Sequence, residues 1–504
     1  MALDPDLSAA IAVTRFGLGA KPGQLAQVRT DPRGWLTSQI RAQGAELPRG
    51  NPEPSDQRLA EFRQFAQFRR QAQGRGRIAG PAGRNADAAA GVGGPSPDMM
   101  QAGPDPRPDA QAGSVAAPGG QAPDPVRMAQ RLIRQEAAVD VLARAQLAST
   151  TDGDFRERWA LFWCNHFTVA ANKLQTATLV GPFENEAIRP RVFGRFEDLL
   201  VASSSHPAML LYLDQARSVG PDTMAARFLG RGDSQPGLNE NLAREILELH
   251  TVGVEAGYTQ ADVTEFARAM TGWSIGALRD PDGQVGRFRF RPMAHEPGAR
   301  TIMGRRYAEG GQEQALAVMR DLAASPHTAH HLAFKLVRHF VADEPPPALV
   351  AALERAYLQS GGDLAHVATA LVQAPEAWSP QAQKFKTPYE FLVSSWRAAG
   401  TQPDRVEAVA QVLNGMGQRP FSAPSPKGWD ESAETWCAPD AVVKRMVWSE
   451  GLAAQVLAGR DPSQLARDAL GARLTPLVAT AISRAETREE GMAIFLMSPE
   501  FQRR

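Results

Sequence analysis

Apolar positions recur every three or four residues over most of this chain, which is the spacing of amphipathic α-helices. Between residues 154 and 167, Phe155, Trp159 and Phe162 fall at offsets of 0, 4 and 7 and therefore share one helix face. Proline at a first helical position, as in His206-Pro207, marks further helix starts. The pattern predicts a mainly α protein, built as a multi-helix globular array.

One short region departs from this helical spacing. Apolar and charged residues alternate in Arg287–Phe290, and the stretch Thr301–Met303 follows after a loop. Short alternating runs of this kind are typical of β-strands. We expect the two runs to pair as a small two-stranded β-ribbon, after which helical spacing resumes from Gln312 to the end of the chain.

A low-complexity tract separates the first helices from the rest of the chain. Between residues 71 and 126 Gly, Pro and Ala dominate and aromatic residues are absent, so little apolar surface offsets the entropy of ordering. We predict an N-terminal helical segment at 1–70 that packs on the main domain and a disordered insertion at 71–126. A helical core with a candidate polar site follows at 127–310, and a C-terminal helical region at 311–504.

The charge balance and the cysteine content limit the classes of protein. Lys plus Arg and Asp plus Glu each total 55, so no net charge attracts nucleic acid, and we expect no nucleic-acid partner. Two cysteines exclude a disulfide framework and a four-cysteine metal site. No stretch is apolar enough for a membrane span. Without a visible secretory signal we expect a cytoplasmic protein, or a periplasmic or secreted one if the start is trimmed or mis-called.

The densest run of polar residues lies between positions 239 and 250. On a helix, Asn241, Glu245 and Glu248 share one face. Two carboxylates one turn apart can bind a cation, or one can transfer a proton while the other raises its pKa. The alternative is a solvated face whose glutamates pair with nearby arginines.

Three positions outside that helix add acid, base or ligand groups. His166 ends the aromatic face of the preceding helix, where a histidine is either a hydrogen-bonded core residue or a ligand. Asp214 stands at a helix C-terminus, where the helix dipole disfavours an acid, so we expect a compensating cation or hydrogen bond. His295 follows the ribbon in a loop, and functional groups concentrate in loops.

Common catalytic motifs are missing from the sequence. There is no Gly-x-Gly-x-x-Gly fingerprint and no P-loop, hence no nucleotide cofactor motif. The Gly-x-Ser-x-Gly elbow of serine hydrolases and the His-Glu-x-x-His motif of metalloproteases are also absent. The sequence therefore does not identify a standard reaction.

Several of these segments resemble a large bacterial family known as domain of unknown function 1800. The motifs that carry the resemblance cover nearly the whole chain outside the low-complexity tract, and they are Phe162–Phe167, His206–Asp214, Asn239–Gly253, Tyr258–Val263, Thr271–Trp273, His295–Glu296 and Ser498–Gln502. The resemblance implies a helical fold and a bacterial source, but no particular reaction. Because the shared residues are largely polar, it also favours a polar site over a solvated face.

Three hypotheses about function remain open at this point. The first is a hydrolase, for example one acting on glycans, with Glu245 or Glu248 as general acid and the other carboxylate or Asp214 assisting. The second is a metal-dependent or redox protein with imidazole and carboxylate ligands to a divalent metal. The third is a non-catalytic scaffold whose polar residues form a structural network. The oligomeric state stays open.

The hypotheses share one set of polar residues, which must fold together into a single solvent-reachable pocket. The predicted catalytic residues are Glu245, Glu248, Asp214, His166 and His250. The predicted substrate-binding residues, for a small molecule or a glycan, are Asn165, Asn241, Arg244, Trp273 and His295. The metal candidates are His166, His250, His295, Glu245 and Glu248, and the cofactor is otherwise unknown.

Overall fold

The computed structural model describes residues 3–63, 125–229, 237–277, 280, 284–456 and 459–504 of this chain. Within these ranges the fold is mainly α-helical, as the periodicity predicted. The predicted insertion at 71–126 lies almost entirely outside the described residues. The predicted domain boundaries stay predictions.

Helices follow one another along the described chain with short connections. In the first half they are Pro5–Ile11, Gln24–Val28, Pro32–Thr37, 55–63, Pro125–Thr150, Asp154–His166, Leu174–Ala177, Val180–Phe183, Phe196–Ser205, Pro207–Tyr212, Met224–Leu229 and Asn241–Glu245. In the second half they are Gln260–Met270, Gln312–Ala323, Pro326–Phe340, Pro347–Ser360, Leu364–Gln373, Pro388–Ala398, Glu407–Gly415, Ala433–Trp436, Pro439–Val456, Pro462–Leu470, Pro476–Ser483, Arg488–Met497 and Pro499–Gln502.

Three π-helical turns occur among these helices, at Ala12–Phe16, Glu184–Ile188 and Ile246–His250. The last of them continues the helix Asn241–Glu245 without a break, because Glu245 keeps helical dihedral angles. Single π-helical turns inside helices are frequent at functional sites. We call the combined segment, residues 241–250, the carboxylate helix.

Two small antiparallel ribbons are present, although the strands pair differently from the sequence-based expectation. The strands are β1 (Trp273–Ile275), β2 (Phe288–Phe290), β3 (Arg300–Ile302) and β4 (Arg305–Tyr307). Strand β1 pairs with β2, and β3 pairs with β4, so the predicted pairing of Arg287–Phe290 with Thr301–Met303 is wrong. Met303 and Gly304 adopt positive φ angles of 49° and 76°, which makes a tight hairpin that folds β3 onto β4.

Aromatic side chains form the centre of the larger hydrophobic cluster. We call Asp154–His166 the aromatic helix, since Phe155, Trp159 and Phe162 are at most 2% exposed, which confirms the predicted buried face. The rings of Phe155 and Trp159 pack against Phe340, and that of Trp159 also stacks on Phe193. This cluster gathers helices from the N-terminus to about residue 378, and a second cluster gathers helices between 391 and 501. The aromatic helix thus fixes His166, at its C-terminal end, against the larger core.

Candidate active site

One helix of the second half of the chain carries most of the site. We call Pro326–Phe340 the histidine helix; it begins with Pro at its first position, and the Ser325 hydroxyl caps it by accepting a hydrogen bond from the His327 N–H at 3.2 Å. Its buried face anchors it in the larger hydrophobic cluster. The opposite face carries residues at spacings of 3, 4, 7, 8 and 11 from the first, namely His327, His330, His331, Phe334, Lys335 and Arg338.

This polar face lines a cavity with a volume of about 850 Å³. The other walls are the C-terminal end of the aromatic helix, residues 248–256, and the loop 427–431. Four of the nine histidines of the chain line it, and apolar walls come from Phe162, Val252 and Phe334. A cavity of this size holds a small molecule or a short sugar, and convergent polar groups inside apolar walls are typical of ligand sites.

The end of the carboxylate helix orients two imidazoles. A helix end leaves its last carbonyls without intrahelical partners. His331 Nε2 contacts the Leu249 carbonyl at 3.1 Å, and His166 Nε2 contacts the His250 carbonyl at 3.2 Å. Because a carbonyl only accepts, both Nε2 atoms carry the hydrogen, and the Nδ1 atoms of both neutral rings are lone-pair acceptors.

Lys335 binds one of these two acceptors. Its Nζ donates to His166 Nδ1 at 3.0 Å. Among the described residues no carboxylate forms an ion pair with Lys335, although Glu431 lies near enough to favour the charged form. Burial, followed by the opposing effects of Glu431, Lys427 and Arg338, lowers the pKa of Lys335 to about 8.

The imidazoles around Lys335 are neutral at physiological pH. Burial first, then the Lys335 charge, lowers the pKa of His250 to about 3 and that of His331 to about 4. The pKa of His166 falls well below the usual value for the same reasons. His250 packs on Phe167, with ring centroids 4.9 Å apart, and neither of its ring nitrogens has a partner among the described residues. Lys335 is therefore surrounded by neutral imidazoles, which stabilise its ammonium charge less than a carboxylate would.

Gly253 keeps the second acceptor open to the cavity. Its φ of +81° lies in the left-handed region that favours glycine. A Cβ atom at this position would stand 2.8 Å from His331 Nδ1. Any side chain here would therefore cover the free lone pair of His331.

The two glutamates of the carboxylate helix have different environments. Glu248 lines the cavity and lies 3.6 Å from an Arg244 guanidinium nitrogen. Burial, followed by the nearby Glu248 carboxylate, raises the pKa of the Tyr258 hydroxyl to about 12. Glu245 is not among the residues that line the cavity. Burial, followed by the charge of Glu248, raises the pKa of Glu245. Arg244 also pairs with Glu240 at 3.1 Å, so part of this face is the ion-paired surface that the alternative interpretation expected.

The structure brings Asn165, His166 and Glu248 to the walls of the cavity, with His250 directly behind His166. Asn165 was predicted to bind substrate, but its side-chain amide forms hydrogen bonds with the backbone of the protein. Its Nδ2 donates to the Trp429 carbonyl at 3.0 Å, and its Oδ1 accepts from the Trp429 N–H at 2.8 Å. Asn165 therefore holds the 427–431 wall in place.

Seven predicted site residues do not line the cavity: besides Arg244, Glu245 and His250, described above, they are Asp214, Asn241, Trp273 and His295. Asp214 has a left-handed φ of 58° and pairs with Lys173 Nζ at 2.8 Å, so Lys173 is the cation expected at that helix end. Asn241 is exposed at the start of the carboxylate helix, and Trp273 is wholly buried in β1. His295 Nδ1 lies 3.0 Å from the Thr271 carbonyl.

The predicted metal ligands do not converge in this arrangement. A metal site needs several ligand atoms close together. In the described part of the chain, three such atoms lie within 4.8 Å of one another on Glu53, Glu61 and Glu136. This group contains none of the five residues that the sequence suggested as ligands. The metal hypothesis thus gains no geometric support from His166, His250, His295, Glu245 or Glu248.

A comparison with models of protein families assigns the chain to a family. The family model described as "Protein of unknown function (DUF1800)" matches residues 11–503, which is nearly the whole length. The chain belongs to the DUF1800 family. No curated protein and no solved structure matches this DUF1800 chain. Among its described residues, no helix combines the length and the apolar character that crossing a membrane requires.

Sequence reasoning on this DUF1800 chain missed Lys335, His331 and Gly253. The first two were detectable, because histidines and a lysine at spacings of 3, 4 and 8 share one face of an otherwise apolar helix. In the sequence, Gly253 stood out only as the last residue of the family motif Asn239–Gly253. Its contact with His331 joins residues 78 positions apart, and no local pattern predicts that.

Proposed function

We propose that this DUF1800 protein is a hydrolase of small molecules or short glycans, with Lys335 and His166 as its proton-transfer pair. The observation that carries the proposal is the 3.0 Å contact of Lys335 Nζ with His166 Nδ1 inside a cavity of about 850 Å³. A general base works best when its pKa lies near the working pH. With a pKa of about 8, Lys335 meets this condition better than an ordinary lysine does.

The proposed reaction uses water as the nucleophile. Ser, Thr and Cys are absent from the residues that line the described cavity, so a hydroxyl or thiol nucleophile has no support there. The uncharged Lys335 amine takes a proton from a bound water, the water oxygen attacks the substrate, and the Lys335 ammonium returns the proton to the leaving group. The fixed His166 acceptor orients the amine throughout.

Glu248 completes the site from another wall. Its position beside Arg244 and Tyr258 keeps the carboxylate in place, where it can accept hydrogen bonds from substrate hydroxyls. The apolar rings of Phe162 and Trp429 line the same cavity and can pack against the faces of a sugar. The sequence predicted Glu248 as a catalytic carboxylate, whereas in this proposal it binds the substrate and the proton-transfer role passes to Lys335.

Two features favour this proposal over a purely structural network. A structural network of buried polar groups is expected to be satisfied and closed to solvent. Here the polar groups line an open cavity, and His331 Nδ1 has no partner among the described residues. A lone pair directed into a cavity is suited to a ligand.

The test is a panel of chromogenic esters, glycosides and phosphate esters with the purified protein and its Lys335→Met variant. We expect Lys335→Met to lower kcat/KM on the active class by about 10²-fold or more, the usual contribution of a general base. The kcat/KM of the wild type should rise with pH through an apparent pKa near 8, because the base must be deprotonated.

Lys444→Met is the matched control, since Lys444 is exposed and its ion-pair partner within the described part of the chain is Asp440 alone, at 3.1 Å. It should keep wild-type activity, and the thermal midpoints of both variants show whether they fold. A wild type that hydrolyses no class on the panel contradicts the hydrolase assignment. Full activity of a folded Lys335→Met protein contradicts the role of Lys335.

A further inference from the structure

The hydrogen-bond geometry of Lys335 is unusual for a lysine that faces a cavity. Its Nζ donates a hydrogen bond to Nδ1 of the neutral His166 ring, and Nε2 of the same ring donates to the His250 carbonyl. The carboxylate of an ion pair stabilises the charged form of its lysine, as Asp343 does for Lys384, although burial lowers the pKa of Lys384 as well. No described carboxylate forms an ion pair with Lys335, so its ammonium form is stabilised less than that of an ion-paired lysine.

The titratable and charged groups that face Lys335 come from four parts of the fold. The groups that contact Lys335 or share a pKa effect with it are His166 on the aromatic helix, His250 on the carboxylate helix, His331 and Arg338 on its own helix, and Lys427 and Glu431 on the 427–431 loop. The carboxylates of Glu248, Glu255, Glu354 and Asp430 line the same cavity. The three imidazoles are neutral, two of the charged groups are cations, and Glu431 already accepts a hydrogen bond from His339 Nδ1 at 2.7 Å. Burial together with these groups lowers the pKa of Lys335 to about 8, so the fraction of free amine at neutral pH is larger than in an ordinary lysine.

We propose that Lys335 is also a covalent site, which captures aldehydes and ketones inside the cavity as an imine on Nζ. The proposal goes beyond hydrolysis, because it requires the cavity and a free amine and no hydrolytic step. An unprotonated lysine in a desolvated pocket is the nucleophile that forms imines with carbonyl substrates. The substrate class it adds is that of small carbonyl compounds.

The proposed step balances without an oxidant or a further reactant. The Nζ lone pair attacks the carbonyl carbon, and one amine proton passes to the carbonyl oxygen by way of His166 Nδ1, which gives a carbinolamine. The second amine proton and the hydroxyl then leave together as water, and a C=N bond remains. The acceptor that this proton transfer needs already lies 3.0 Å from Nζ.

The ionisation of Lys335 agrees with this geometry. With a pKa of about 8, roughly one molecule in ten carries a free amine at about pH 7. An ordinary lysine is free in fewer than about one molecule in a thousand at that pH. Even with the lower nucleophilicity of a weaker base, Lys335 should react at least about tenfold faster than an exposed lysine.

The experiment is reductive trapping on the full-length protein. Propionaldehyde or glyoxylate is added with sodium cyanoborohydride at about pH 7, and peptide mass spectrometry measures the extent of alkylation at each of the seven lysines. We expect Lys335 to be modified at least about tenfold faster than Lys444. The preference should shrink at about pH 9 and disappear in urea, since it depends on the folded cavity.

The wholly buried, ion-paired Lys384 is the internal control for folding, because aldehydes reach it only if the protein unfolds. It should stay unmodified. The Lys335→Arg variant, which keeps a cation in the cavity, should lose the fast-reacting site. Modification of Lys335 no faster than that of Lys444, or a fast-reacting site that persists in Lys335→Arg, overturns the proposal.

The result is independent of the hydrolase assignment. Selective trapping in a protein that hydrolyses nothing on the panel leaves the imine site standing and removes the hydrolase. If hydrolysis requires Lys335 but trapping is not selective for it, the hydrolase assignment stands and the imine site is ruled out.

Discussion

At the scale of single residues, Asn165 shows that a polar residue of a family motif can have a structural role in the wall of the cavity. Its amide makes two hydrogen bonds to the backbone of Trp429, at 3.0 and 2.8 Å. Asn165→Ala leaves a partly buried N–H and a partly buried carbonyl without partners. We expect the free energy of unfolding to fall by about 1–3 kcal/mol, measured by chemical denaturation.

Asn241→Ala is the control for that prediction, because Asn241 is the other asparagine assigned to substrate binding and its side chain is exposed. It should change the free energy of unfolding by less than about 0.5 kcal/mol. An Asn165→Ala protein that keeps full stability but loses activity would return Asn165 to the substrate-binding role that the sequence suggested.

At the scale of elements, the histidine helix depends on its first turn. Ser325 caps it by accepting from the His327 N–H at 3.2 Å. Ser325→Ala should lower the free energy of unfolding by about 0.5–2 kcal/mol, the usual cost of losing a cap. Reductive trapping at Lys335 should stay at the wild-type rate, because Lys335 lies more than two turns further along the helix.

Ser483→Ala is a suitable comparison for the cap. Ser483 is exposed, and its hydroxyl bonds only the Thr480 carbonyl within its own helix. Its loss should cost less than about 0.5 kcal/mol in chemical denaturation. Equal costs at Ser325 and Ser483 would show that the cap does not stabilise the histidine helix.

The elements also show what the sequence could predict. Periodicity predicted the aromatic helix and its buried face, and the carboxylate helix lies where its polar run was found. The partners of the strands depended on a left-handed Met303, which no side-chain pattern indicates. The site itself depends on contacts such as Lys335 with His166, 169 positions apart. Spacing along one helix predicts which residues share a face, but not what that face meets.

At the scale of the whole molecule, three imidazoles buried in the neutral state make the fold sensitive to acid. The pKa of His250 is about 3 and that of His331 about 4 in the folded protein, against about 6.5 in an unfolded chain. Between these values the unfolded chain binds more protons than the folded one. The free energy of unfolding therefore falls as the pH falls below about 6.5.

His250 allows this dependence to be measured by itself, because it is 1% exposed and neither ring nitrogen has a partner among the described residues. Its share of the loss between about pH 7 and pH 4.5 is about 2 kcal/mol. Between about pH 7 and pH 4.5 the free energy of unfolding of His250→Leu should therefore fall by about 2 kcal/mol less than that of the wild type. This difference does not depend on how stable the variant is at neutral pH. The exposed His366, changed to Gln, should leave the pH profile unchanged. If denaturation curves recorded from about pH 7 to pH 4.5 run parallel for His250→Leu and the wild type, folding does not lower the pKa of His250. The His250 ring would then gain a positive charge as the pH falls below about 6.5, which contradicts the buried, neutral surroundings assigned to Lys335.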